Sequence, residues 1–380
     1  MSIRQHNLGS IVKPGFNPLG AQTSVTTYEP YLYTWGRNNN GQLGLSNLTY
    51  YSSPKQVGAL TTWGSSNGGF AADFIAYTKN DGTLWSWGRN NFGQLGLGNT
   101  TYYSSPKQIG ALTAWSTVSV GNEHTLAVKT DGTLWSWGYG NSGRLGLGNI
   151  TNYSSPKQIG ALTTWSKISV GADSCLAIKT DGTLWSWGAN GSGQLGLGNL
   201  TNYSSPVQVG ALTDWLSTAC GRYHSLVIKT DGTLWAWGAG GSGRLGLGNT
   251  LSRSSPVQVG ALTNWAIAKG GNNFSMAITT AGALYSWGDN DSGRLGLNNV
   301  TNYSSPKQVG ALTTWKTISC GLGQTLAITT GNTLFAWGKN QHGQLGINNT
   351  TYYSSPQQVG ALTTWLSVAA SGYFSTALLY

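Results

Sequence analysis

Charge is what this chain has least of. Asp, Glu, Lys and Arg make up 8% of its 380 residues, against roughly 25% in an ordinary soluble domain. Only two of its eleven acids are Glu. A chain so poor in charge is not a charged disordered tail, because 39% of it is apolar and can bury a core. Helix formers are scarce beside Thr, Trp, Tyr, Val and Ile, which argues for strands and turns. Cysteine is also sparse. Cys175, Cys220 and Cys320 make no CxxC and no disulfide framework, so they read as small buried residues. No run approaches the ~18 apolar residues of a spanning helix, and Met1-Ser-Ile-Arg-Gln-His-Asn-Leu lacks the apolar stretch of a secretory signal. The expectation is a product made in the cytoplasm, without membrane insertion.

The net charge of +10 arises from few acids rather than many bases, and the bases form no run. A duplex-binding protein gathers them into a patch, so nucleic acid is not an expected partner. What the chain has in excess is Gly, 56 residues, and Trp, 18 residues. The glycines keep no three-residue period, which excludes collagen.

The excess is periodic. Trp-Gly begins at Trp35, Trp87, Trp137, Trp187, Trp237, Trp287 and Trp337, the first interval being 52 residues and the others 50. Each pair is followed by Gly-Gln/Arg-Leu-Gly. In the unit that starts at Trp115 four strands are expected: A over 116–120, B over 125–129, C over 133–137 and D over 157–161. Asp131-Gly132 reads as the hairpin between B and C, and Ser154-Ser-Pro156 as punctuation of the long C–D connection. Trp135 and Trp137 share one face of strand C, an aromatic surface that the next unit should cover.

Seven even units without a helical period predict an all-β, seven-bladed β-propeller with four-stranded blades. The chain enters at Tyr31–Trp35, which aligns with strand C, and ends on Leu366–Tyr380, which aligns with strands A and B. One blade should therefore be shared between the termini and close the ring. The expected domains are residues 1–29, an extended non-repeat arm, and residues 30–380, the propeller.

Trp-Gly-x-Asn-x-x-Gly-Gln-Leu-Gly at 87–96 and Gly-x-x-His-x-Leu at 121–126 and 221–226 resemble the regulator of chromosome condensation repeat. The resemblance covers about 31–380 and implies a seven-bladed binding platform. It also points to two known uses, nucleotide exchange on a small nuclear GTPase and inhibition of a β-lactamase. Exchange in that family relies on a wedge inserted into one blade. The units here are equal apart from two extra residues between Trp63 and Asp81, so no exchange-factor residue is carried across.

Motifs that could carry chemistry have plainer readings. Gly191-Ser-Gly-Gln-Leu-Gly196 matches a dinucleotide fingerprint by letter, but no helix follows to meet a pyrophosphate. Asp81, Asp131, Asp181 and Asp231 supply one carboxylate per unit, which makes turns rather than an oxygen cage. His124 and His224 stand two units apart and cannot share a metal. The Asn-x-Ser/Thr sites at Asn47, Asn99, Asn149, Asn199, Asn299 and Asn349 read as loop terminators. Lys79, Lys129, Lys179 and Lys229, with Lys55, Lys107, Lys157 and Lys307, read as charge solvating a rim. No catalytic residue, metal or cofactor is expected.

Differences between units gather in the A–B turn and just after Trp-Gly. Both connections leave one edge of the blade, so the variable positions should converge on one face of the disc. The expected binding residues are Arg37, Arg89, Phe92, Glu123, His124, Tyr139, Arg222, Tyr223, His224, Phe274, Asp289, Lys339, His342 and Tyr373, which are types suited to interfaces. The surface of Asn, Thr, Ser, Gly and Tyr suits an extracellular particle, while no export signal is present. Near-identical repeats behind a short head also resemble propellers encoded by bacterial viruses. The expected function is therefore a non-enzymatic virion protein, in capsid or tail, whose partners are other virion subunits and a host-surface receptor or glycan. The alternative is a soluble, cytoplasmic regulator or inhibitor that binds a protein. Ile11, Val12, Phe16 and Leu19 would dock the arm, which leaves the disc opposite the variable face.

Overall fold

Short strands separated by glycine turns cannot each bury a core alone, and here they pair into sheets that stack side by side. The computed structural model describes residues 29–64, 73–111 and 113–380. They form seven antiparallel sheets, the blades of one propeller. In the third blade strands A to D run Trp115–Val120, His124–Lys129, Leu134–Gly138 and Tyr153–Gln158. Blades four to seven repeat this order. In the second blade three strands lie among the described residues, Phe74–Thr78, Leu84–Gly88 and Tyr103–Gln108. The first blade joins the termini: Tyr31–Gly36 pairs with Phe374–Leu379, in a register from Tyr31 opposite Leu379 to Gly36 opposite Phe374. That is the closure expected from the alignment of the chain ends.

Inner strands A of neighbouring blades touch around the axis, and strands D form the rim. The hydrophobic interior is divided into clusters at the seams between blades. One gathers Leu95 and Ile109 of the second blade with Trp115, Val118 and Trp137 of the third. The aromatic face of strand C is thus covered by the preceding blade, not the next one. Trp115 meets Trp135 and Trp137 edge-on, at 6.1 and 6.0 Å between ring centroids.

Strand D corrects the expected boundary of 157–161. Tyr153–Gln158 is the strand, so Ser154-Ser-Pro156 lies inside it. Pro156 is tolerated because D is an outer edge, where a missing N–H leaves no ladder bond unmade. The turns match expectation. Asp131 Oδ1 accepts from Thr133 N at 2.9 Å and from Thr133 Oγ1 at 2.6 Å, and Thr133 Oγ1 accepts from the Trp135 indole at 2.9 Å. Asn99 closes its loop by accepting from Thr101 N at 2.9 Å. The set after strand B, Lys79, Lys129, Lys179 and Lys229, departs from the expected solvated rim. Lys129 Nζ lies 3.9 Å from the centroid of Trp135, and Lys179 Nζ 3.6 Å from that of Trp185, which is the geometry of cation–π attraction.

Of the expected arm, residues 1–28 with Ile11, Val12, Phe16 and Leu19 lie outside the described residues. Glu29 is described, and its carboxylate accepts from Thr61 Oγ1 at 2.6 Å. Among the described residues no helix is long and apolar enough to cross a membrane.

Candidate functional site

Within each blade the residue after Trp-Gly donates its N–H to the middle residue of the A–B turn. Arg37 bonds the Tyr373 carbonyl, Tyr139 that of Glu123 and Ala239 that of Tyr223, at 2.9, 2.9 and 2.8 Å. The two variable regions of each blade therefore meet at one edge of its sheet. The Trp-Gly glycine is what permits this. Gly138 has φ +102, and a Cβ there would stand 2.5 Å from the Glu123 carbonyl oxygen, closer than any side chain tolerates.

Cations on this face reach an acid in the next blade. Arg37 lies 4.0 Å from Asp73, Arg89 is 3.3 Å from Glu123 and Arg144 is 2.7 Å from Asp173. Arg294 pairs instead within its own loop, with Asp289 at 3.3 Å and with Asp291. Arg144 and Arg294 were not among the expected residues. They occupy the Gln/Arg position of Gly-Gln/Arg-Leu-Gly, and the swap from Gln to Arg between units was the available signal. Asp73 is held above the usual carboxylate range by burial, against the pull of Arg37, Arg89 and His342.

Three expected face residues are interior. His124, His224 and Phe274 are 0%, 1% and 0% exposed, because each opens strand B and its side chain turns into the seam. Cβ-sized space beside them is taken by glycine: a Cβ at Gly221 would meet His224 at 2.1 Å and one at Gly271 would meet Phe274 at the same distance. His124 Nε2 lies 3.3 Å from Cys175 Sγ, and His224 Nε2 lies 2.8 Å from Ser275 Oγ. Burial, helped by Arg244, pushes the His224 imidazole down to about 3. Burial holds His124 well below its ordinary value too.

The other expected residues are half-exposed, and apart from the ion-paired Arg89, Glu123 and Asp289 they fall into three groups. Phe92 stacks on Tyr139 at 4.2 Å, and Arg144 lies 4.8 Å from the centroid of the same Tyr139 ring. Arg222 sits over Tyr223 at 5.0 Å and donates to Asn272 Oδ1 at 3.4 Å. The third group straddles the closing seam. The Tyr373 ring is faced by Arg37 at 5.4 Å, Lys339 at 5.6 Å and His342 at 5.2 Å, and Tyr50 meets His342 at 5.6 Å. His342 is depressed by its partial burial and by Arg37 and Lys339. Among the described residues no three His, Cys, Asp or Glu are gathered as metal ligands. What this face offers is a set of aromatic rings already oriented by cations, which can dock against protein without a large ordering cost.

The chain matches the RCC1-like domain over residues 153–377 and the regulator of chromosome condensation repeat over 31–66, 81–128 and 115–144. It is 34% identical over 106 residues to the ultraviolet-B receptor UVR8 of Arabidopsis thaliana, covering 27% of this chain and 24% of that protein. It is 33% identical over 114 residues to the human E3 ubiquitin-protein ligase HERC2, covering 29% of this chain and 2% of that one. The matched stretch thus spans a quarter or less of these relatives. Human WBSCR16 superposes with a TM-score of 0.82 at 22% identity, covering 93% of this chain and 99% of that one. Prp20p of Saccharomyces cerevisiae gives 0.79 at 18% identity, covering 93% and 92%.

Proposed function

Because the chain belongs to the RCC1-like domain family, we propose that it is a protein-binding propeller whose recognition surface is the face formed by the A–B turns and C–D loops. The observation that carries this reading is the group at the closing seam. There Arg37, Lys339 and His342 surround one half-exposed tyrosine, Tyr373. Aromatic rings fixed by cations are the anchors that interfaces favour, and a low-charge rim around them reduces the desolvation cost of docking. The partner is a protein with an acidic or aromatic segment that fits this cationic aromatic patch.

Two finer readings follow. A regulator is supported by analogy with Prp20p, whose structure was described with its binding to Gsp1p and histones. A virion component is supported by the low surface charge and by the near-identical units. In that reading residues 1–29 anchor the propeller to a particle and the loop face points outward to a host receptor or glycan. Gene neighbours separate the two, since capsid and tail genes accompany only the second. Deleting residues 2–27 should abolish incorporation into the particle while the propeller folds, and normal incorporation would sink the anchoring role.

The binding reading is tested with the partner recovered by crosslinking on the full chain. Replacing Arg37, Lys339, His342 and Tyr373 by Ala should weaken its affinity at least about tenfold, with the melting temperature shifted by no more than about 2 °C. Unchanged affinity would move the site elsewhere.

A further inference from the structure

On the axis of the disc, inner strands of five blades line a cavity of about 60 Å³. Its wall includes Ser119, Ser169, Thr218, Lys269 and Ser319. Ser119, Ser169, Lys269 and Ser319 occupy one repeat position, which is Ala219 and Ala369 in two other units. Lys269 is thus a single cation inserted where the architecture otherwise uses the smallest side chains. Nothing in the repeat requires it.

No acid in the chain offsets that charge. All eleven Asp and Glu lie among the described residues, since residues 1–28 and 65–72 and Leu112 contain none. None of the eleven lines the cavity, and Lys269 takes part in no ion pair among the described residues. Lys269 is half-buried there, and an ammonium partly withdrawn from water without a counter-charge is costly to keep. Its neighbours are donors as well. Ser169 Oγ accepts the Cys220 N–H at 2.9 Å and Ser319 Oγ accepts the Ala370 N–H at 2.9 Å. Each hydroxyl that accepts from the backbone keeps its own proton to give. Thr218 Oγ1 is buried and has no hydrogen-bond partner. The cavity therefore presents a cation and several O–H donors, and it lacks an anionic acceptor.

We propose that the axial channel is a binding site for one small inorganic anion, a halide or a tetrahedral oxyanion, held by Lys269 with the hydroxyls of Thr218, Ser169 and Ser319. The anion stabilises the ring by bridging inner strands of four blades that otherwise meet only their immediate neighbours. Burial pushes the Lys269 ammonium down, against the opposing influence of the Cys320 thiol, and a bound anion draws it back up.

The probes are chloride, bromide and phosphate, titrated into the full chain at constant ionic strength against gluconate, which is too large to enter. Binding should raise the melting temperature saturably by about 2 °C or more. Lys269→Met should abolish that rise. Thr218→Val removes a hydroxyl that bonds nothing in the protein, and it should weaken the anion at least about threefold while leaving the gluconate melting temperature unchanged. If Lys269→Met fails to fold, Thr218→Val alone carries the comparison. Crystals soaked in bromide should show an anomalous peak in the channel. A melting temperature independent of the anion, a dependence unchanged in Thr218→Val, or bromide absent from the channel would each overturn the proposal.

Discussion

The indole N–H of Trp35 donates to the main-chain carbonyl of Gln344 at 2.9 Å, across 309 residues of sequence. The same bond recurs at every seam, from Trp87 to Gln42, Trp137 to Gln94, Trp187 to Arg144, Trp237 to Gln194, Trp287 to Arg244 and Trp337 to Arg294. Trp-Gly and Gly-Gln/Arg-Leu-Gly travel together in each unit because they are two halves of a contact between neighbouring blades. The Trp35 bond is the one that joins the chain's ends, so it has no covalent neighbour to restore it if the ring opens.

Removing residues 369–380 takes away the last strand, Phe374–Leu379, and the final two residues of the one before it, Trp365–Ala370. Tyr31–Gly36 then loses its partner on one side and the Trp365 end of the ring loses its own. Two unpaired edges should drive association. Light scattering should report aggregates in place of a monomer, and a monomer with an unchanged melting temperature would contradict ring closure as a source of stability.

Gly96 and Gly98 separate two costs. Both have positive φ, +75 and +76, but a Cβ on Gly96 would stand 2.6 Å from the Trp137 indole nitrogen, whereas on Gly98 the nearest atom is Ser155 Oγ at 3.6 Å. Gly98→Ala should cost about 1–2 kcal/mol from backbone conformation. Gly96→Ala should cost at least about 1–3 kcal/mol more, because the seam must open to admit the methyl. Urea midpoints of the two variants give the difference.

His224 makes stability pH-dependent in a defined direction. The unfolded chain takes up a proton below about 6.5, while the folded imidazole does so only near 3. The contribution is complete above about pH 6.5 and is lost as pH falls towards about 3, at up to about 1.4 kcal/mol per pH unit. His224→Phe places the residue found at this position in Phe74, Phe274 and Phe374. The variant should show a shallower loss of stability between pH 6.5 and 4.5, measured by urea unfolding. Equal slopes would mean that the imidazole is protonated in the folded protein.

Lys129 should matter through its ring contacts. With Nζ 3.9 Å from Trp135 and 5.1 Å from Trp115, Lys129→Met should destabilise by about 0.5–1 kcal/mol. A lysine that only solvates the rim would show no change in a thermal melt.

Local chemistry accounts for what is legible in the sequence. Asp131-Gly132 encodes its hairpin within four residues, the Trp-Gly spacing counts the blades, and the match of Tyr31–Trp35 to strand C announces closure. Each of these signals lies within one unit or in the spacing between units. Strand D was misplaced because Pro156 is a turn signal everywhere except on an edge, and whether a strand is an edge depends on which sheets lie beside it.

The candidate face divides along the same line. That variable turns cluster on one side follows from antiparallel order alone, and in each blade the two variable regions meet at one edge of its sheet. Which of them point outward does not follow. His124, His224 and Phe274 belong to the variable turns by position, yet their side chains fill the seam with the next blade. Arg144 and Lys269 were passed over although a comparison of units displays both, because their meaning depends on what faces them: Asp173 for the first, and a cavity of donors for the second. The repeat by itself determined the number of blades, their strand order and the closure, since these arise from backbone pairing with a fixed period. Only the tertiary structure decided burial, ion pairing and the channel wall, since these are set by distances between units that the chain separates by about fifty residues and the ring brings into contact.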